Sequence, residues 1–218
     1  MHSVLSSPEQ CRRSFIETAR RAQIIECAID CIAELGFAKA SLAQIAKRAG
    51  VSTGVTLYYF ADKEELIRAV VAHIFAMGEA FIRPRLDLTS ARIALHSFIE
   101  ASVAFMATHH TSMLAMMNIA RAGRTENGAP RIDPAVKEPR AAGFHEILEA
   151  GQASGEFRPF SVAVMTASII ASIEAIPLQF TTDPNLSFND YAQQLVQLFD
   201  RATRQNTAHS EETSDVSK

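Results

Sequence analysis

This sequence lacks a disulfide framework, an apolar run near residue 1 and any recognisable catalytic constellation. Its three cysteines are too few for a stapled extracellular domain. Cys27 and Cys31 stand four apart on one helical stretch, a spacing of buried packing more often than of a metal site, and no second ligand pair follows. A reducing, cytosolic compartment fits that usage. The opening MHSVLSSPEQCRRSF contains no apolar run of the kind a signal peptide needs, so secretion is not expected. No nucleophile–base pair, phosphate-cradling glycine loop or metal-spaced cluster is present, so neither an enzyme, a resident cofactor nor a metal centre is expected. His96, His109, His110 and His145 lack the paired helical spacing of a metal site and read as core or surface histidines. The net charge of −3 excludes a surface uniformly coated for nucleic acid. Charge is distributed only mildly in favour of one end, with nine Lys and Arg against eight Asp and Glu in residues 1–70.

What is present is 218 residues, 48% of them hydrophobic, enough to bury one substantial core and a smaller one, hence one or two domains. The most informative stretch is SLAQIAKRAGVSTGVTLYYF, Ser41 to Phe60. Ile45, Ala46 and Ala49 lie three and four apart on one helical face, with Ser41 placed to cap it. Gly50 supplies the left-handed turn that a side chain would resist, and Val51 can drop into the core beneath it. Ser52 restarts the chain as the cap of a second helix, Thr53 to Tyr59. Two short helices about a glycine turn form a helix-turn-helix, whose second helix enters the major groove of DNA. Ser41, Gln44, Ser52, Thr53, Thr56, Tyr58 and Tyr59 offer polar groups to phosphates or base edges, Gly54 allows close backbone approach, and Lys63 follows at the start of the next helix. Similar helix pairs also occur in all-α cores that touch no nucleic acid.

Gly36-Phe37 closing a first helix, the IAKRAGVSTG run and YF-x-DKEEL from Tyr59 to Leu66 resemble the TetR family of bacterial transcriptional regulators. The STG start and YF-x-DK end look nearest to its BetI-type, choline-responsive branch. The resemblance is specific over about residues 18–75; beyond them it extends only to length, helical pattern and the GEFRPF turn at Gly155 to Phe160. It implies an N-terminal three-helix domain that binds operator DNA as a dimer, and a larger helical domain that holds a small effector. One departure is that Val55 and Thr56 precede Leu57 and Tyr58 where many relatives read G-x-L-Y. Which of these side chains faces phosphate stays open.

The expected fold is all-α, about nine helices. A DNA-binding domain spans 12–75, with the helix-turn-helix at 41–60; a helical effector-binding and dimerisation domain spans 76–204; a polar tail, 205–218, is expected to be disordered. The first helix is expected from about Glu17 to Leu35, with Ile25, Ala28, Ile29 and Ile32 as its buried stripe. Arg12, Arg13, Arg20 and Arg21 at its start suit either a phosphate or minor-groove contact or a solvated helix face. A fourth helix starts after Asp62 and carries Leu66, Ile67, Val70, Ile74 and Phe75 past what a three-helix domain covers. Further helices are expected at Ser90–His109, Ser112–Ala122, Pro134–Ala153, Ser161–Phe180 and Phe188–Thr203, with a mobile loop from Gly123 to Asp133.

Within the second domain, Phe98, Phe105, Met113, Met117 and Phe144 are candidates for an apolar effector pocket, although a Met-rich helix is as often ordinary core. Glu174, inside an apolar run, is either a polar ligand contact or a carboxylate paired with an arginine of its own chain. Ser161–Phe180 is long enough for a membrane span, but Glu174 and Pro177 argue against one. Ala163, Ala167, Ala171 and Ala175 form a small-residue strip beside a bulkier stripe of Val162, Met165, Ile169, Ile173 and Ile176, so two faces of this helix expect burial and one of them implies a partner chain. The expected partners are double-stranded operator DNA, a second copy of the chain and an unidentified small effector, with no membrane.

Overall fold

The computed structural model describes residues 8–125, 127–132, 139–183, 185 and 187–205. Among them the chain is all-α, with no strand. The helices are α1 (Pro8–Leu35), α2 (Leu42–Arg48), α3 (Thr53–Tyr59), α4 (Lys63–Ile82), α5 (Ala91–Thr108), α6 (His110–Arg121), α7 (Pro139–Ala153), α8 (Val162–Glu174), α9 (Ile176–Thr182) and α10 (Phe188–Thr203), with a 3-10 turn at Arg83–Arg85. The first helix starts nine residues earlier than the expected Glu17, at a proline whose fixed φ suits a first turn. The run expected from Ser161 to Phe180 is interrupted at Ala175, because Pro177 has no N–H to offer Ile173 and the helix must restart around it. By length and composition this run, Val162–Gln179, could cross a membrane, and 28% of it is buried. The tail beyond Gln205 and the side chains of Arg12 and Arg13 lie outside the described residues.

The chain divides into two compact units, Met1–Ala76 with His110–Val136 and Met77–His109 with Lys137–Lys218. This differs from a single division near residue 75, since α6 and the segment after it group with the helix-turn-helix. The reason is packing: Met113, Ala115 and Ile119 of α6 are buried, α6 lies on α1, and Asn118 Nδ2 donates to the Ile32 carbonyl at 3.0 Å. Met113 and Met117 therefore belong to the first unit, whereas Phe98, Phe105, Phe144 and Glu174 belong to the second.

In the first unit the buried stripe of α1 is Ile24, Ile25, Ala28, Ile29 and Ile32, and Gly36 ends the helix at φ 79°. Ile45 and Ala46 of α2 and Leu66, Ile67, Val70 and Ile74 of α4 complete the core. Of the loop expected from Gly123 to Asp133, residues 123–125 and 127–131 are tighter than a loose loop, while Glu126 and Asp133 lie outside the described residues. Thr125 N donates to Ala129 O at 2.8 Å and Arg131 N to Gly123 O at 3.0 Å, so the segment closes on itself as a short hairpin.

In the second unit α5 is the hub, packed on α7, α8, α9 and α10. Leu95, Phe98, Ile99, Ser102 and Phe105 are all buried, and so are Ala101, Val103 and Met106 on its other sides. The GEFRPF turn joins this unit's parts residue by residue. Gly155 takes φ 78°; the Glu156 carboxylate accepts from the Ala91 and Arg92 amides, both at 3.1 Å, and so caps α5; Phe157 is buried against Gly151; and Arg158 Nε donates to Ala202 O at 2.8 Å. Those amides hold the Glu156 carboxyl below its ordinary range.

Candidate nucleic-acid interface

The helix-turn-helix forms as its caps dictate. Ser41 Oγ accepts from Gln44 N at 3.3 Å and Ser52 Oγ from Val55 N at 3.2 Å, so each serine satisfies an orphan amide of the helix it starts. Between them Gly50 adopts φ 65°. Two side chains fix α2 on α1. Arg48 reaches Glu34 at 2.5 Å and Asp30 at 3.5 Å, and Gln23 Nε2 donates to Ala49 O at 3.1 Å, closing the end of α2. The Arg48 guanidinium holds the Glu34 carboxyl below its ordinary range.

The outward face of α3 is set by what the core takes. Thr56 is fully buried, its hydroxyl has no hydrogen-bond partner, and it cannot reach DNA; the expectation of a Thr56 contact is corrected on that ground. A four-residue step along a seven-residue helix turns one position inward, and here Thr56 sits above Ser52 while Phe60 is buried below it. Ser41, Gln44, Ser52, Thr53 and Gly54 are exposed, as are Val55 and Leu57. Tyr58 is 73% exposed, with its ring edge-on to that of half-buried Tyr59, centroids 5.1 Å apart. The serine oxygens accept within the domain, yet their O–H groups can still donate outward. A Cβ at Gly54 would meet only Ser52 Oγ, at 3.7 Å. The fold therefore does not require glycine there.

Lys63 is placed differently from expectation. Its Nζ donates to Phe37 O at 2.7 Å and stands 4.2 Å from the centre of the Phe37 ring. The Arg131 guanidinium lies 4.3 Å from the same ring and pairs with Glu64. Burial, then the Arg131 charge, push the Lys63 ammonium below its ordinary value, with Glu64 opposing them. Lys63 is thus a bracket inside the unit. Lys47, in the last turn of α2, is an exposed cation beside the motif, a residue that the sequence made legible only through its place on the first helix of the pair.

Of the effector candidates, Phe98 and Phe144 meet as a stacked pair, 4.0 Å between centroids. Phe105 packs instead with Phe81 and His109. Glu174 is half-exposed and 3.6 Å from Arg140, which favours the paired reading. His96 lies 3.0 Å from Asp200, and among the described residues no group of three or more metal-ligating side chains converges.

The family model of the bacterial regulatory proteins, tetR family, matches residues 24–70. Over 66 residues the chain is 44% identical to the HTH-type transcriptional regulator BetI of Yersinia pestis (strain Pestoides F), covering 30% of this chain and 33% of that protein. The chain therefore matches about a third of the length of such relatives. The fold extends further. A bacterial regulatory protein in the tetR family from Rhodococcus RHA1 superposes with a TM-score of 0.72 at 22% identity, covering 84% of this chain and 95% of that one. AibR, in complex with isovaleryl coenzyme A and operator DNA, superposes with a TM-score of 0.70 at 18% identity, covering 82% and 97%.

Proposed function

We infer, from the premise that this chain belongs to the TetR family of bacterial regulators and carries a BetI-like helix-turn-helix, that it is a repressor of transcription, binding a palindromic operator as a homodimer and released by a small lipophilic effector. The observation that carries the reading is the outward face of α3, where Thr53, Gly54 and Tyr58 stand clear of the core on a helix braced by α2. Two such helices about one turn of DNA apart, roughly 34–36 Å, read symmetric half-sites. The protein acts in the cytoplasm, on the nucleoid.

Dimerisation is assigned to α8. Ala163, Ala167 and Ala171 are exposed along one face, and Val164 beside them is 66% exposed, while Ile169, Ile173 and Ile176 serve the unit's own core. Small residues at four-residue spacing let a second helix approach closely.

The effector is placed in the second unit. Support comes from Ser102 of α5 and Thr166 of α8, buried hydroxyls without a hydrogen-bond partner on two helices that pack together. Such groups cost about 1–3 kcal/mol each unless a ligand or water satisfies them. Phe98, Phe105 and Phe144 supply apolar surface nearby in the same unit, and AibR's acyl-coenzyme ligand suits that chemistry. Glu174, with Arg140 beside it, is not needed as an anchor. That pair favours a second reading, a regulator without a small inducer.

Footprinting of DNA upstream of the protein's own coding region, with sizing of the bound species, tests the first reading. A protected, near-symmetric site at two chains per site is expected, and Ala171→Arg should give monomers that protect it weakly. Protection of a single asymmetric half-site by one chain would rule the reading out.

A further inference from the structure

We propose that Arg131, far outside the helix-turn-helix in sequence, is a positioning residue for DNA recognition: from the hairpin after α6 it clamps Phe37 and Glu64 and thereby sets the first turn of α4 and the exit of α3. The inference rests on the DNA-reading function proposed above and adds to it a residue that touches no DNA.

The clamp is built from both sides. On one side, the hairpin holds the arginine's backbone, with Arg131 N bonded to Gly123 O at 3.0 Å and Thr125 bonded across to Ala129. On the other, its side chain is 11% exposed, ion-paired with Glu64 in the first turn of α4, and laid against the ring of Phe37, the residue after the glycine that ends α1. Lys63 ties the same two elements again through the Phe37 carbonyl and ring. Phe37, Lys63, Glu64 and Arg131 thus join the end of α1, the start of α4 and the segment after α6 at one point.

From that point the path to the recognition helix is short. Asp62 Oδ1 accepts from Glu65 N at 2.7 Å, and Glu65 Oε2 accepts from Ala61 N at 2.7 Å, a reciprocal cap that makes the α3–α4 connection stiff. Phe60, which ends α3, is fully buried, with the Arg21 guanidinium 4.8 Å from its ring centre. A shift of α4's first turn is therefore passed to α3 instead of being absorbed in a loop. Removing Arg131 also leaves the Glu64 carboxylate, itself partly buried, without its partner, so the turn it belongs to must re-solvate and move.

The full chain is compared with Arg131→Met, Arg131→Lys, Glu64→Gln and the Arg131→Met/Glu64→Gln pair. Each is measured for melting temperature and for affinity to two DNAs: a fragment that the wild type recovers from a randomised pool, and a mixed-sequence fragment of equal length. Arg131→Met should lose about ten-fold on the selected DNA while mixed-sequence binding stays within about two-fold. Glu64→Gln should show the same selective loss, the pair should be no worse than Arg131→Met alone, and Arg131→Lys should restore part of the affinity. Should Arg131→Met fail to fold, Glu64→Gln carries the test. Unchanged affinity of the folded variants for the selected DNA overturns the clamp, as does an equal loss on both DNAs, which would make Arg131 a phosphate contact. A wild type that recovers no sequence from the pool overturns the DNA-reading function instead, and the clamp with it.

Discussion

The ring of Phe98 lies face to face with that of Phe144, centroids 4.0 Å apart and planes 15° from parallel, and its edge closes over Gly143. A Cβ on Gly143 would fall 2.6 Å from Phe98 Cε1 and 3.0 Å from Cζ. Since the ring is pinned by its stack, it cannot yield cheaply. Gly143→Ala is expected to destabilise the protein by about 1–3 kcal/mol in denaturant unfolding, despite the better helix propensity of alanine. An unchanged midpoint would show that the stack slides.

Gly54 sets stability against function. Its Cβ position is open, so Gly54→Ala should gain up to about 1 kcal/mol of stability from the helix former. Under the proposed function the same methyl group obstructs close approach of the DNA backbone, and operator affinity should fall. Calorimetric melting and gel-shift titration on one preparation give the two signs; unchanged or raised operator affinity would remove Gly54 from the interface.

Base reading and phosphate binding should separate by variant. Tyr58→Ala and Thr53→Ala are expected to change the ranking of operator sequences, whereas Lys47→Ala should weaken all sequences alike and reduce the salt slope by about 0.9. Lys63→Ala should leave that slope unaltered, since its ammonium is already held by Phe37. A full unit of slope lost in Lys63→Ala would return it to the phosphate.

Acid should loosen the second unit through Asp200 and Glu156. Hydrogen bonds from Arg92 and His96, against some burial, hold the Asp200 carboxyl below its ordinary value of 3.8. The α5 amides do the same for Glu156 from 4.5. Both groups have lower values folded than unfolded, so the unfolded chain takes up more protons; their stabilisation is complete above those ordinary values and is lost as pH falls through the folded ones. Urea midpoints followed from about pH 6 downward should drop from about pH 5. Asp200→Asn, less stable at neutral pH, should show a shallower drop. An equally steep drop in that variant would assign the acid sensitivity elsewhere.

The sequence alone determined the features that depend on neighbours in the chain. Ser41, Gly50, Ser52 and Asp62 act within three or four residues of themselves, so the caps and turn of the helix-turn-helix were legible from spacing, and so were the buried faces of α1 and α5. Tertiary structure decided whatever depends on distant partners. Thr56 has the chemistry of a DNA contact and is lost to the core, because the inward register of a two-turn helix is fixed by what α3 packs on. Lys63 resembles a phosphate anchor in sequence, yet Phe37 and Arg131 surround it, and nothing in the order of residues signals that an arginine 67 positions after Glu64 will pair with it. Likewise α6 left the unit its place in the chain suggested, because the carbonyl of Ile32 and the apolar stripe of α1 gave Asn118, Met113 and Ile119 a better place to be buried.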